Sequence, residues 1–171
     1  MTGEERRSQI LKTLMESKQP MSGAALAKAF QVSRQVIVQD IALMRAERHD
    51  IMSTNKGYLY RSAAAAAAFP KRVFFVKHSK AQVMEEFLTV IELGGCVLDV
   101  AVEHTLYGQI RVDLLIESKQ DAEEFVQKLS VCRDNPLNVL TDGGHYHTVS
   151  APSEKLLDLM EAELRQKGFL L

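Results

Sequence analysis

The sequence predicts an α+β protein in two parts: an N-terminal winged helix-turn-helix and a C-terminal antiparallel α+β domain of ferredoxin-like type. Three observations predict this. Apolar residues recur at helical spacing three times before residue 50 and then give way to a short hairpin pattern. Beyond residue 70 the pattern alternates in the order strand, helix, strand, strand, helix, strand. Between the two lies Ser62, then six alanines, Ala63 to Ala68, and then Phe69-Pro70. Six alanines are too few for an isolated helix, which needs about 12–15 residues, and Pro70 disfavours helical geometry at Phe69. Residues 62–70 therefore read as a linker between domains at 1–61 and 71–171. A short terminal helix packed on one of them is the alternative.

In the first part, Ile10, Leu11, Leu14 and Met15 place a helix over 4–18, which Pro20 stops. Ser22 can cap a second helix with an apolar stripe of Ala25, Leu26, Ala29 and Phe30. Gln31-Val32 is a tight connection, and Ser33 caps a third helix running to about Arg48. Within it Ile37, Ile41 and Met44 face the core. Residues 51–60 form two short strands around Asn-Lys-Gly.

In the second part, Val73–Lys77 is a strand and Ser79–Leu93 a helix ended by Gly94-Gly95. In 96–103, Cys96, Leu98, Val100 and Val102 face one way, Asp99 and Glu103 the other. Residues 109–116 turn Ile110, Val112, Leu114 and Ile116 inward. A helix over 119–131, strands over 137–141 and 145–150, a helix over 153–167 and a last short strand opened by Gly168 complete the chain.

The composition is that of a folded globular protein, 46% hydrophobic and 25% charged. Residues 1–62 carry ten Lys/Arg against six Asp/Glu (+4), and 63–171 carry eleven against sixteen (−5), which sum to the overall −1. A nucleic acid would therefore meet the N-terminal part. Glu4, Glu5, Arg6 and Arg7 have no apolar run behind them, so no secretory signal is expected. No stretch approaches a membrane-spanning length. Cys96 and Cys132 lack the spacing of a zinc or redox motif and read as reduced, buried thiols of a cytoplasmic protein.

A winged helix-turn-helix presents its third helix to the major groove of DNA. The outward positions there are Arg34, Gln35, Val38 and Gln39. Arginine can pair with guanine and glutamine with adenine, while Ser33 and the helix N-terminus can hold a phosphate. Lys56 at the wing tip and Arg45 are candidates for backbone contact. A purely protein-binding three-helix domain is the competing reading.

Four of the five histidines follow the linker. His145 and His147 flank Tyr146, and residues two apart on a strand project from one face, so the pair can hold one metal ion. His78 ends a strand eight residues before Glu86, and His104 ends another in Val-Glu-His-Thr-Leu-Tyr-Gly. A third imidazole and a carboxylate would complete the ligands of Zn, Ni, Co or Fe(II). Hydrogen-bonded surface histidines are the alternative, and that is the reading for His49.

The run LAKAFQVSRQVIVQDIALMRA, within Ser22–Ala46, resembles the bacterial type 11 helix-turn-helix of biotin-repressor-like and sugar-responsive regulators. His78 with Glu86, ELGGCVLDVAVEHTLYG and GGHYHTVSAP together resemble the three-histidine (3H) domain. From about residue 4 onward the chain resembles the NiaR family, the niacin-responsive transcription repressors of Gram-positive bacteria. The resemblance implies a second domain that senses nicotinic acid and a repressor that then silences genes of NAD synthesis and niacin uptake. It assigns His78, Glu86, His145 and His147 to a metal, choosing Glu86 over Glu85 by spacing. It places His104 and Tyr107 on the ligand, although Thr105 stands where the family has proline. Arg111 is a candidate to neutralise a ligand carboxylate.

A two-fold operator would require a homodimer with recognition helices about 34 Å apart. Two other classes remain open: a metalloregulator, whose signal is the metal itself, and a metal-dependent enzyme with a DNA-binding appendage.

Overall fold

The computed structural model describes residues 1–61 and 69–171. They fall into two compact units on either side of the alanine run. Except for Phe69 and Pro70, the linker expected over 62–70 lies outside the described residues.

The first unit opens with α1 (Gly3–Glu16). Thr2 and Glu5 form a reciprocal capping box, the Thr2 N–H donating to the Glu5 carboxylate at 2.8 Å. Ser22 and Ser33 cap α2 (Gly23–Ala29) and α3 (Arg34–Ala46), each side-chain oxygen accepting a backbone N–H three residues on. Such caps contribute about 0.5–2 kcal/mol apiece. The core is Ile10, Leu14, Leu26, Ile37, Ile41, Met44 and Ile51, while Met15 turns outward. β1 (Ile51–Thr54) and β2 (Gly57–Tyr60) pair as the expected hairpin. Gly57, at φ 140°, is required there: a Cβ would collide with the Met21 carbonyl. That close approach lets Met21 and Tyr58 exchange two backbone hydrogen bonds of 2.8 Å, which fasten the wing to the segment before α2. Asp40, on the inner side of α3, is buried against Arg6 of α1, Nε to Oδ2 at 2.6 Å.

The second unit is a four-stranded antiparallel sheet: β3 (Lys71–Lys77), β4 (Cys96–His104), β5 (Gly108–Ile116) and β6 (Gly144–Ser150), in the spatial order β3-β6-β4-β5. α4 (Val83–Ile91), α5 (Lys119–Val131) and α6 (Glu154–Gln166) cover one face. Phe74, Val76, Val97, Leu114, Ile116 and Val149 of the sheet meet Phe87, Val90, Leu157, Met160 and Leu164 of the helices.

The antiparallel α+β architecture is the expected one, but its strand order corrects the ferredoxin-like detail. In a split β-α-β unit of that type, the strand inserted between the first two belongs to the following hairpin. Here it is the last strand, β6. This places the His-x-His segment in the middle of the sheet instead of at its edge.

Four local expectations are also corrected. Residues 137–141 are a 3-10 helix after Pro136, ended by Asp142 in the left-handed region at φ 53°, and not a strand. The alternation in β4 slips: Val97 and not Leu98 joins the core, because a bulge interrupts both ladders between Val97 and Ala101. Cys132 is exposed and Cys96 half-buried. The short strand after Gly168 is a single bridge between Leu170 and Val76. Among the described residues, no helix is long and apolar enough to cross a membrane.

Candidate metal centre and nucleic-acid interface

Three segments converge beneath α4. β3 ends at Lys77, and His78 follows at once. Ser79 then starts the 3-10 turn Lys80–Gln82, which runs into α4 and puts Glu86 one turn inside the helix. On β6, His145 and His147 stand opposite Val76 and Phe74 on the helix-covered face, as a period of two requires. Glu85, one position round α4, points away and approaches Lys167 at 3.8 Å. The inward carboxylate is therefore Glu86, which is 2% exposed.

One ligand atom from each of His78, Glu86, His145 and His147 lies within 4.8 Å of all the others. His78 Nε2 is 2.7 Å and His147 Nε2 3.5 Å from Glu86 Oε2. The outer nitrogen of each ring meets a backbone carbonyl: His78 Nδ1 with Ser79 at 3.0 Å, His145 Nδ1 with Gly143 at 2.9 Å, His147 Nδ1 with Asp99 at 2.6 Å. A carbonyl only accepts, so Nδ1 carries a proton and the Nε2 of every ring faces the centre, where it can offer its lone pair once it has given up any proton of its own. His78 Nε2 and Glu86 Oε2 are buried with no hydrogen-bond partner of good geometry. Three imidazoles and one carboxylate, pre-oriented around a common centre, could hold a metal ion, and such donors suit a divalent transition metal.

The charges interlock. Burial alone would raise the Glu86 carboxyl, but His147 and His78 hold it well below the usual carboxylate range. Burial opposes charge on His78 and His147 too, yet the adjacent Glu86 carboxylate raises both. His145, which suffers burial and the neighbouring His147 charge, is pushed down to about 4.

The four residues form one wall of a cavity of about 290 Å³. Its other walls are apolar, with Val83, Phe87, Val100, Leu114, Phe125 and Leu129 prominent, and Lys80, Asn135 and Asn138 complete the lining. No motif or spacing in the sequence marks Phe87, Phe125 or Lys80 as lining a cavity.

The structure does not bring His104, Tyr107 or Arg111 into this cavity. His104 and Tyr107 sit on the β4–β5 turn with ring centroids 4.9 Å apart, Tyr107 being largely exposed. There His104 Nδ1 accepts the N–H groups of Leu106 and Tyr107. Arg111 is engaged with Asp99, Nη2 to Oδ2 at 2.6 Å.

On the first unit, Arg34, Gln35, Val38 and Gln39 are exposed along one side of α3, with Ser33 at its cap. Lys56 is half-buried in the wing turn. Arg45 is tied to the wing, donating to Ile51 O at 2.6 Å and Ser53 Oγ at 2.8 Å.

Comparison with known proteins follows the same division. Residues 6–59 match a helix-turn-helix (HTH) domain and residues 71–171 the 3H domain. The chain is 39% identical over 168 residues to a probable transcription repressor NiaR of Thermotoga maritima, covering 98% of this chain and 94% of that one. It is 37% identical over 172 residues to the transcription repressor NadR of Bacillus subtilis, covering 100% and 96% respectively.

Proposed function

This chain belongs to the NiaR family of transcription repressors, a DNA-binding regulator and not an enzyme, and on that footing we propose that nicotinic acid is its co-repressor. The observation that carries this reading is a donor set for a divalent metal built into the wall of an apolar cavity. His78, Glu86, His145 and His147 would hold the metal. When bound, the metal supplies a Lewis-acidic position for a ligand carboxylate or pyridine nitrogen. Phe87, Phe125 and the aliphatic side chains suit the flat ring, and Lys80 offers a cation for an anionic substituent.

The output is the exposed side of α3, where Arg34, Gln35, Val38 and Gln39 would read base edges while Ser33 and Lys56 contact phosphates. A homodimer on a two-fold operator, at genes of NAD synthesis and niacin uptake, completes the proposal. The effector must favour the DNA-competent arrangement, and a coupling of about 1–3 kcal/mol is typical.

The test is operator binding, by fluorescence anisotropy, titrated separately with nicotinate, nicotinamide and metal, with and without chelator. Nicotinate should raise DNA affinity about 5–150-fold in metal-loaded protein. Affinity that tracks metal and ignores nicotinate would replace this reading by a metalloregulator.

A further inference from the structure

His147 owes its orientation to an irregularity in the sheet. Val97 pairs with Val149 and Ala101 with Tyr146, so β4 carries one more residue than β6 between these points. The shift falls between Val97 and Ala101, where Asp99 keeps its partner Asp113 on β5 but has none on β6, so that its carbonyl is free of the β4–β6 ladder. Its carbonyl accepts the His147 Nδ1 proton at 2.6 Å. Its carboxylate, 1% exposed, accepts the Thr148 N–H through Oδ1 at 3.0 Å and meets Arg111 through Oδ2 at 2.6 Å. Arg111 pairs across the β4–β5 ladder with Ala101, on the face of the sheet opposite Val100 and Val112, which line the cavity. It is half exposed, with Asp113 the only other carboxylate near it among the described residues, at 4.0 Å.

The geometry points to Asp99 as a positioning residue that orients His147 for the metal and links it to Arg111 on the opposite face of the sheet. The inference rests on the metal reading of the four-residue cluster. A buried carboxylate that accepts a backbone N–H through one oxygen and is ion-paired with a guanidinium through the other is held on both sides, and it holds the bulge whose carbonyl fixes the imidazole. Loss of the charge at Asp99, or of its partner, lets the bulge relax and the Nε2 lone pair swing off the metal. Groups that orient metal ligands in this way typically contribute 10–100-fold to metal affinity. Arg111 gives the arrangement a surface terminus, so events at the outer face of the sheet bear on the metal ligand.

The experiment uses the full chain and cobalt(II) as probe, with affinity from chelator competition and geometry from the visible absorption spectrum. Asp99→Asn should weaken cobalt binding about 10–100-fold and shift the bands. Arg111→Met should act in the same direction, and Arg111→Lys should restore part of the affinity and the original spectrum. The Arg111 variants alter a half-exposed side chain, so they keep the test decisive if Asp99→Asn does not fold. Wild-type protein that binds no cobalt would overturn the metal reading and the proposal with it. Wild-type binding that depends on His145 and His147, with affinity and spectrum unchanged in the Arg111→Met variant, would overturn the proposal alone.

Discussion

Metal and pH should act on the C-terminal unit in opposite senses over the histidine range. In chelator-treated protein, His145 is depressed from the usual 6.5 to about 4. Between those values the folded unit binds fewer protons than the unfolded chain, so its stability rises with pH. His78 and His147 are raised by Glu86. Their contribution is fully present below 6.5 and is lost as pH climbs through their raised values. Metal-free protein is therefore most stable near pH 6.5 and weakens toward pH 8. A coordinated imidazole must be unprotonated, so metal affinity gains over that same interval. At a free metal concentration a hundred times Kd, binding stabilises the fold by about 2.7 kcal/mol. At about 4–8 °C per kcal/mol for a domain of this size, the midpoint should rise roughly 10–20 °C. Differential scanning fluorimetry with chelator or with zinc(II), from pH 5 to 8, measures both trends. Two results would refute the reasoning: an equal metal-dependent rise in the His145→Ala/His147→Ala double variant, or a metal-free midpoint that keeps climbing from pH 6.5 to 8.

Further predictions concern sites away from the metal. Arg34→Ala or Gln35→Ala should cost about 1–3 kcal/mol of specific operator binding and leave metal and nicotinate affinity unchanged, as isothermal titration would show. Gly57→Ala should destabilise the wing by more than about 1 kcal/mol, because its φ of 140° and the nearby Met21 carbonyl exclude a side chain. Amide exchange at Met21 and Tyr58 would report the lost bridge. A thiol reagent at pH 8 should modify Cys132 rapidly and Cys96 only after denaturation. Cys132 is exposed, whereas burial, with Glu117 and Asp121 nearby, pushes the Cys96 thiol up to about 12.

The helical unit was legible because its signals are local. Ser22 and Ser33 stand where caps belong, and the apolar residues of the third helix, Ile37, Ile41 and Met44, repeat at a helix period and are all buried. The partners of Asp40 were not legible, since Arg6 lies 34 residues earlier and only helix packing brings them together. The same limit explains the misplaced strand at 137–141. Leu-Asn-Val-Leu-Thr is short and apolar enough to pass for a strand, but with Pro136 before it and Asp142 in the left-handed region after it, the segment closes as a 3-10 helix that helps form the cavity wall.

For the metal cluster, the division between sequence and tertiary structure is sharp. That His145 and His147 share a face follows from the strand period of two, and that His78 precedes a helix bearing Glu86 follows from the order of residues. Both are properties of contiguous backbone, so the sequence by itself determined them. That these two pieces meet was decided only by the tertiary structure, through the insertion of β6 beside β3. Strand order depends on which edges pair when the whole apolar surface is buried, and no local pattern carries that choice. The irregularity of β4 between Val97 and Ala101 belongs to the same class. It arises from reconciling β4 with neighbours on both sides, and it turns Asp99 from an apparent surface residue into the support of His147.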